Sequence, residues 1–276
     1  MESFLKNIRR GLRWSLRPLP LLALFCSGLA LGLAQTWPAW LALTQGVTQP
    51  WIGELAGGGG DALVALLLSG GSNAVAGGLI WLALALAGAL IYAIAYNLIS
   101  GGALSLWAGV RPFWAGCRYN FWSFTGLGAL LIMLALAAIA IATLAGTIFG
   151  IGVGFLVALL LLQFLNLGGE YARALIVHDQ RRNPAGALGR ASGFCIRHPG
   201  TFLLGLAGFG LHSALGWLAT NSAELSAGLA LALGQLWAFG WAWLKLVRLG
   251  WALAYVQSAH PPIIPENTLI AAVEVA

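Results

Sequence analysis

All fourteen Lys and Arg residues of this 276-residue chain fall in four short patches, and the apolar stretches between the patches are each long enough to cross a bilayer twice. The patches are Lys6 to Arg17, Arg111 with Arg118, Arg173 to Arg197, and Lys245 with Arg248. A transmembrane helix needs about 20 mostly apolar residues. Six segments meet that requirement: 19–43, 76–99, 124–145, 150–172, 201–220 and 227–247. Six crossings return the chain to its starting side, so every basic patch lies on the side of the N terminus. The opposite loops carry Glu54, Asp61 and Glu224 and no Lys or Arg. Under the positive-inside rule both termini are expected in the cytoplasm.

Composition agrees with this reading. Hydrophobic residues make up 60% of the chain and charged residues 8%, against about a quarter charged in soluble domains. The net charge of +6 does not point to a nucleic acid, because the basic residues abut apolar spans, where they anchor topology and meet anionic headgroups. Lys6, Arg9, Arg10, Arg13 and Arg17 precede the first span in the manner of a signal peptide. The apolar run from Leu19 to Trp37 is too long for one, however, and no small-residue cleavage site closes it, so a retained first helix is expected. Cys26 sits in an apolar span, and Cys117 and Cys195 fall on the reducing side, which argues against a disulfide framework.

The chain reads as a single integral membrane domain with an N-terminal amphipathic segment over 1–18 and a C-terminal tail over 257–276. The outer stretch 44–75 contains Pro50-Trp51, four consecutive glycines from Gly57, and the apolar run Ala62 to Leu68, which is too short to span and is expected at the interface or re-entrant. On the basic side, Pro112 to Arg118 and Pro184 to Arg190 share a Pro with an Arg six residues later, and Arg10 to Arg17-Pro18 parallels Arg190 to Arg197-His198-Pro199. A Pro in the first turn followed by mixed basic and apolar positions makes a short interfacial helix whose arginines snorkel to headgroups. The fold class expected is therefore all-α, a polytopic membrane protein of six transmembrane helices in three hairpins, each introduced by a short amphipathic cytoplasmic helix.

The stretch from Glu170 to Val177, followed by Arg181-Arg182-Asn183-Pro184, Ala187-Leu188-Gly189-Arg190 and Arg197-His198-Pro199-Gly200, resembles the fourth-to-fifth span connection of a group of bacterial six-span proteins. That group is similar to the membrane domain fused to some glycerophosphoryl diester phosphodiesterases. The resemblance covers about half the chain. It implies a bacterial inner-membrane location and brings no catalytic residue, since the soluble phosphodiesterase domain has no counterpart.

Polar groups inside apolar spans are the natural place to look for chemistry. His212 lies mid-span, and its imidazole is either bonded to a neighbouring helix or a ligand to a haem or other tetrapyrrole. Gln163, Asn166 and Gln235 complete the candidate intramembrane polar set. Glu170 and Arg173 share a helix face, and Lys245 and Arg248 stand at a similar depth on another span. An ion-paired lock between helices is expected there, with a substrate or proton site as the alternative. Arg111, Arg118, Arg181, Arg182, Arg190 and Arg197 are expected to face lipid or a partner. Cys195-x-x-His198 with His178-Asp179 has no second Cys or His pair at matching spacing, so no metal is expected. Gly146, Gly150 and Gly154 fit either a close helix interface or an outer turn.

Six spans also suit a rhomboid-type protease, but Ala191-Ser192-Gly193 lies in a basic cytoplasmic segment with no partner His on another span. The His-Glu-x-x-His, phosphate-loop and Ser-x-x-Lys patterns are absent, so no catalytic residue is expected and the chain reads as a non-enzyme. The primary expectation is an accessory, scaffold or assembly subunit touching other membrane proteins or lipids. Trp237, Trp241 and Trp243, on more than one face of the last span, are its main support. Trp14, Trp37, Trp40, Trp51, Trp114, Trp122 and Trp251 are expected in an aromatic belt. The alternatives are a carrier of a hydrophobic, lipid-like molecule, which requires a cavity reaching Gln163, Asn166 or Gln235, and a pigment- or haem-binding subunit.

Overall fold

The computed structural model describes residues 2–30, 72–180, 182–221 and 227–260, with the backbone alone at 2–4, 72–85, 89, 204, 209, 212, 215–221, 227–235 and 237. Most of the 44–75 stretch, the second half of the first span, Arg181 and most of the C-terminal tail lie outside the described residues. Every regular element among the described residues is an α-helix: α1 Glu2–Ser15, α2 Pro18–Ala30, α3 Ser72–Trp107, α4 Phe113–Phe149, α5 Ile151–Asp179, α6 Pro184–Arg197, α7 Gly200–Asn221 and α8 Ala227–Ala259. Among the described residues, three helices are long and apolar enough to cross a membrane: residues 86–107 of α3, then α4, then α5. The chain forms two compact units, residues 26–95 and residues 1–25 with 96–276. In the first, a Cβ on Gly28 of α2 would stand 3.8 Å from the Tyr92 ring of α3, so the two helices pass in ordinary contact there.

In the second unit, α4 and α5 form an antiparallel hairpin. Gly150, at φ 98°, makes the turn, a conformation that costs glycine little and a side-chain-bearing residue much. A Cβ on Gly154 would lie 2.7 Å from both the Gly146 Cα and the Ala142 carbonyl oxygen. The glycine series thus takes both of its roles, with Gly150 as the turn and Gly146 and Gly154 as the close helix contact. The outer parts of the hairpin expose Leu136, Ile139, Ile148, Phe149 and Ile151, as suits helices whose solvent is lipid and which gain nothing by hiding such groups from it.

The other half of α5 is the centre of the unit. From Leu167 to Val177 every residue is buried, enclosed by α4, α6, α7 and α8. The inner half of α8 is equally enclosed, with Leu246, Leu249, Leu253 and Val256 fully buried. Across α8 lies α1, whose buried positions Asn7, Gly11 and Trp14 recur at helical spacing while Lys6, Arg9, Arg10 and Arg13 face outward. The two helices cross where Gly11 meets Gly250; a Cβ on Gly250 would stand 2.8 Å from the Gly11 carbonyl oxygen. The Trp251 Nε1 donates to the Ile8 carbonyl at 3.1 Å, and the Asn7 amide donates to Ser258 Oγ at 2.9 Å.

Helix α6 matches its amphipathic expectation. Pro184 occupies its first turn, and Asn183 caps it by accepting from the Gly186 N–H at 3.0 Å. Ala187, Leu188, Ala191, Phe194 and Cys195 turn inward onto α5, leaving Arg190 and Arg197 outside. The Pro112 copy behaves differently. Pro112 caps a helix that continues unbroken for 37 residues from Phe113 to Phe149, so no separate interfacial helix precedes this span. A Pro in the first turn permits a helix to start and does nothing to stop it. Helix α6 ends because His198-Pro199 follows it, just as Arg17-Pro18 follows α1. Trp14 departs from the aromatic belt too: it is 8% exposed and stacks on Trp107 with ring centroids 6.3 Å apart.

The Gly146 and Gly154 contact sets the hairpin spacing. Gly154→Val should destabilise the protein by about 1–3 kcal/mol through overpacking, read as a lower midpoint of thermal unfolding in detergent. Gly152→Ala, where a Cβ meets nothing within 4 Å, should leave the midpoint unchanged or raise it slightly.

Candidate functional site

Four elements of the second unit, the inner end of α3, α4, α5 and α8, enclose a cavity of about 700 Å3. Its wall changes character along α5. Phe155, Leu159 and Leu162 line one end, Gln163 and Asn166 come next, and Glu170 and Arg173 line the other. Helix α8 contributes Trp241, Lys245 and Arg248, helix α4 contributes Leu131, Ile132 and Ala135, and Tyr96 comes from α3. Residues spaced by three, four and seven along α5 share a helix face, so a single face of α5 carries the whole gradient from hydrocarbon to charge.

At the charged end, Glu170 is 6% exposed and would be costly without a partner. Arg248 supplies it: its Nε stands 2.9 Å from Oε1 and 3.2 Å from Oε2 of Glu170. With its amide oxygen turned toward Arg248, Asn166 accepts from Nη2 at 2.8 Å. This three-residue set ties α5 to α8, and Gln163 ties α5 to α7 by donating to the Gly205 carbonyl at 3.1 Å.

Arg173 and Lys245 are held in another way. Arg173 is 8% exposed, donates from Nη2 to Asn97 Oδ1 at 3.2 Å, and has its guanidinium 5.1 Å from the Tyr96 ring centre and 5.9 Å from that of Phe124. Its buried Nε has no hydrogen-bond partner among the described residues. The Lys245 Nζ rests 3.6 Å over the Trp241 ring and 4.8 Å from the Tyr96 ring centre. Aromatic faces attract cations more strongly where water is scarce. They do so without neutralising them, so the site carries three cationic side chains against one carboxylate.

The expected cluster of Glu170, Arg173, Lys245 and Arg248 is thus gathered in one place together with Gln163 and Asn166. His212 and Gln235 fall within the backbone of α7 and α8, and their side chains lie outside the described residues. Tyr96, Asn97 and Trp241 belong to the site although the residue pattern did not single them out. The only signal was a polar pair, Tyr96-Asn97, near the inner end of an otherwise apolar span.

The basic face is partly self-occupied. The Arg111 and Arg182 guanidinium groups stand 3.5 and 4.2 Å from the ring centre of Tyr119. Arg190 pairs with Asp179 at 2.8 Å, and the other oxygen of that carboxylate lies 2.9 Å from His178 Nδ1. Arg118 and Arg197 are exposed and Arg181 lies outside the described residues. His198 stacks on Phe194 at 4.3 Å, and Cys195 is fully enclosed. Among the described residues, no group of three or more His, Cys, Asp or Glu stands close enough to hold a metal. A comparison with protein-family models, curated proteins and solved structures finds no significant match.

Two outcomes follow. Arg248→Met leaves the Glu170 carboxylate buried without its cation and should cost about 3–5 kcal/mol of stability, whereas Glu170→Gln combined with Arg248→Met should recover most of that loss; chemical denaturation of the three proteins in micelles checks this. Burial pushes the Cys195 thiol up to about 11, with the Thr201 hydroxyl opposing the shift and the Glu170 charge adding to it. A thiol whose folded value is raised stabilises the fold at lower pH and loses that contribution as pH rises from the ordinary value of 9 toward 11. Cys195 should therefore resist maleimide at neutral pH until the protein is unfolded, and Cys195→Ala should show a shallower loss of stability over that alkaline interval.

Proposed function

We propose that the protein is a non-enzymatic carrier of the bacterial inner membrane that takes a lipid-like molecule into the cavity between α3, α4, α5 and α8 and shields it within the bilayer. In this reading six spans cross the membrane as three hairpins, both termini are cytoplasmic, and the charged end of the cavity lies toward the cytoplasm, where the basic patches gather. The observation that carries the proposal is the cavity itself: at about 700 Å3 it falls within the roughly 300–1,000 Å3 of small-molecule sites, and it reaches Gln163 and Asn166.

The placement of tryptophans favours a carrier over a scaffold. A partner-binding surface on α8 would leave its indoles outward. Trp241 instead lines the cavity under Lys245, and the Trp243 indole nitrogen is buried. The Phe155-to-Leu162 wall belongs to helices that are themselves bare to lipid, which gives an apolar solute a lateral way in without crossing water.

Ala158→Trp tests the reading, since Ala158 lines the cavity and a large ring there fills it without touching the charged end. The variant should bind a neutral anthracene-type probe at least about tenfold more weakly than the parent protein, a loss of about 1.4 kcal/mol, with an unchanged thermal midpoint. Equal binding by both proteins would remove the cavity as the site.

A further inference from the structure

We infer that the cavity takes a single-chain amphiphile with an anionic head, its carboxylate or phosphate between Arg173 and Lys245 and its chain running along α5 toward Phe155; the inference rests on the carrier reading and specifies its cargo. Two features of the cavity carry it, one electrostatic and one geometric.

The electrostatic feature is the excess of positive charge. Glu170 is already matched by Arg248 at 2.9 Å, with Asn166 completing the set. Arg173 and Lys245 line the same cavity at the same end, held largely by the ring faces of Tyr96, Phe124 and Trp241. Buried charge of one sign is costly at this depth, and the Arg173 Nε, enclosed and without a hydrogen-bond partner among the described residues, leaves a donor open on a residue that lines the cavity. An incoming anion meets both requirements. Arginine suits either head, because its planar donors match carboxylate and phosphate alike. A neutral or zwitterionic head would bring a further uncompensated group or a cation into an already cationic pocket.

The geometric feature is the cavity's width. From Phe155 to Arg173 the cavity follows α5 for eighteen residues, about 27 Å at 1.5 Å per residue. A volume of about 700 Å3 over that length gives a mean cross-section of about 26 Å2. Apolar groups in contact stand about 4.0–4.5 Å apart, so one chain occupies on the order of 20 Å2. The channel therefore has the width of one hydrocarbon chain and excludes the paired chains of an ordinary bilayer phospholipid. The order of wall residues, charged at Arg173 and wholly apolar at Phe155, fixes the direction in which such a molecule lies.

The test is equilibrium binding of radiolabelled hexadecanoate, hexadecyl phosphate, hexadecylphosphocholine and hexadecanol to the full-length protein in micelles. A charge-assisted hydrogen bond contributes about 1.5–3 kcal/mol, so the better anionic probe should bind at least about tenfold more tightly than hexadecanol and hexadecylphosphocholine. Preference for either anion supports the proposal and identifies the head. Arg173→Gln and Lys245→Gln should each erase most of that preference while leaving hexadecanol binding unchanged, and Arg173→Lys, which keeps the charge, should retain it. Hexadecanol or the phosphocholine binding as tightly as both anions would overturn the anionic head and leave the carrier reading standing. Failure of all four probes to bind folded protein would overturn both.

Discussion

A carboxylate enclosed among helices at membrane depth is tolerable only where a cation stands against it, and in this chain the pairing of Glu170 with Arg248 meets that demand. Because the two residues belong to α5 and α8, the pair fixes the spacing and rotation of the two most enclosed helical segments of the unit. Asn166 completes the Arg248 fork and Gln163 reaches the α7 backbone, so one face of α5 anchors two neighbours. Everything else in that unit is arranged about this fixed pair. Helix α6 closes over the inner half of α5, α1 closes over α8 through the Gly11 and Gly250 crossing, and the α4 and α5 hairpin reaches outward from it.

The same pair creates the opening for function. Arg248 spends its donors on Glu170 and Asn166, which leaves Arg173 and Lys245 as a second, distinct cationic group on the far side of the lock. Their neighbours are ring faces and the Asn97 amide, contacts that steady a cation and leave its charge in place. The lock is structural and the adjoining cations are available to a ligand. Sequence reasoning treats the four charges as one cluster, and only their geometry separates the two roles.

Much of this architecture was legible in the residues. Apolar length located the helices, since α4, α5, α7 and α8 each contain one of the expected stretches, and the Pro184 start with the His198-Pro199 stop marked out α6. Other features were not legible, for identifiable reasons. Pro112 carries the same local signal as Pro184, but a start signal says nothing of where a helix ends, so α4 runs straight through the expected boundary. Trp14 looks interfacial by position and is instead buried on Trp107, which lies more than ninety residues away along the chain. The cavity itself is a property of four helices brought side by side, and no local pattern states that Tyr96 of α3 will stand beside Lys245 of α8. Gln163 and Asn166 were recognisable as polar groups in an apolar span; the apolar wall that gives them meaning, from Phe155 to Leu162, looks like any other lipid-facing helix until the opposite wall is in place.

The central claim is that the cavity holds one amphiphile, and native mass spectrometry of the full-length protein released gently from its own membranes tests it most directly. The account predicts a bound species close to one per chain whose fragmentation gives a single hydrocarbon chain and an acidic head. A protein released with no retained molecule, or one retaining only two-chain phospholipids in variable number, would contradict it.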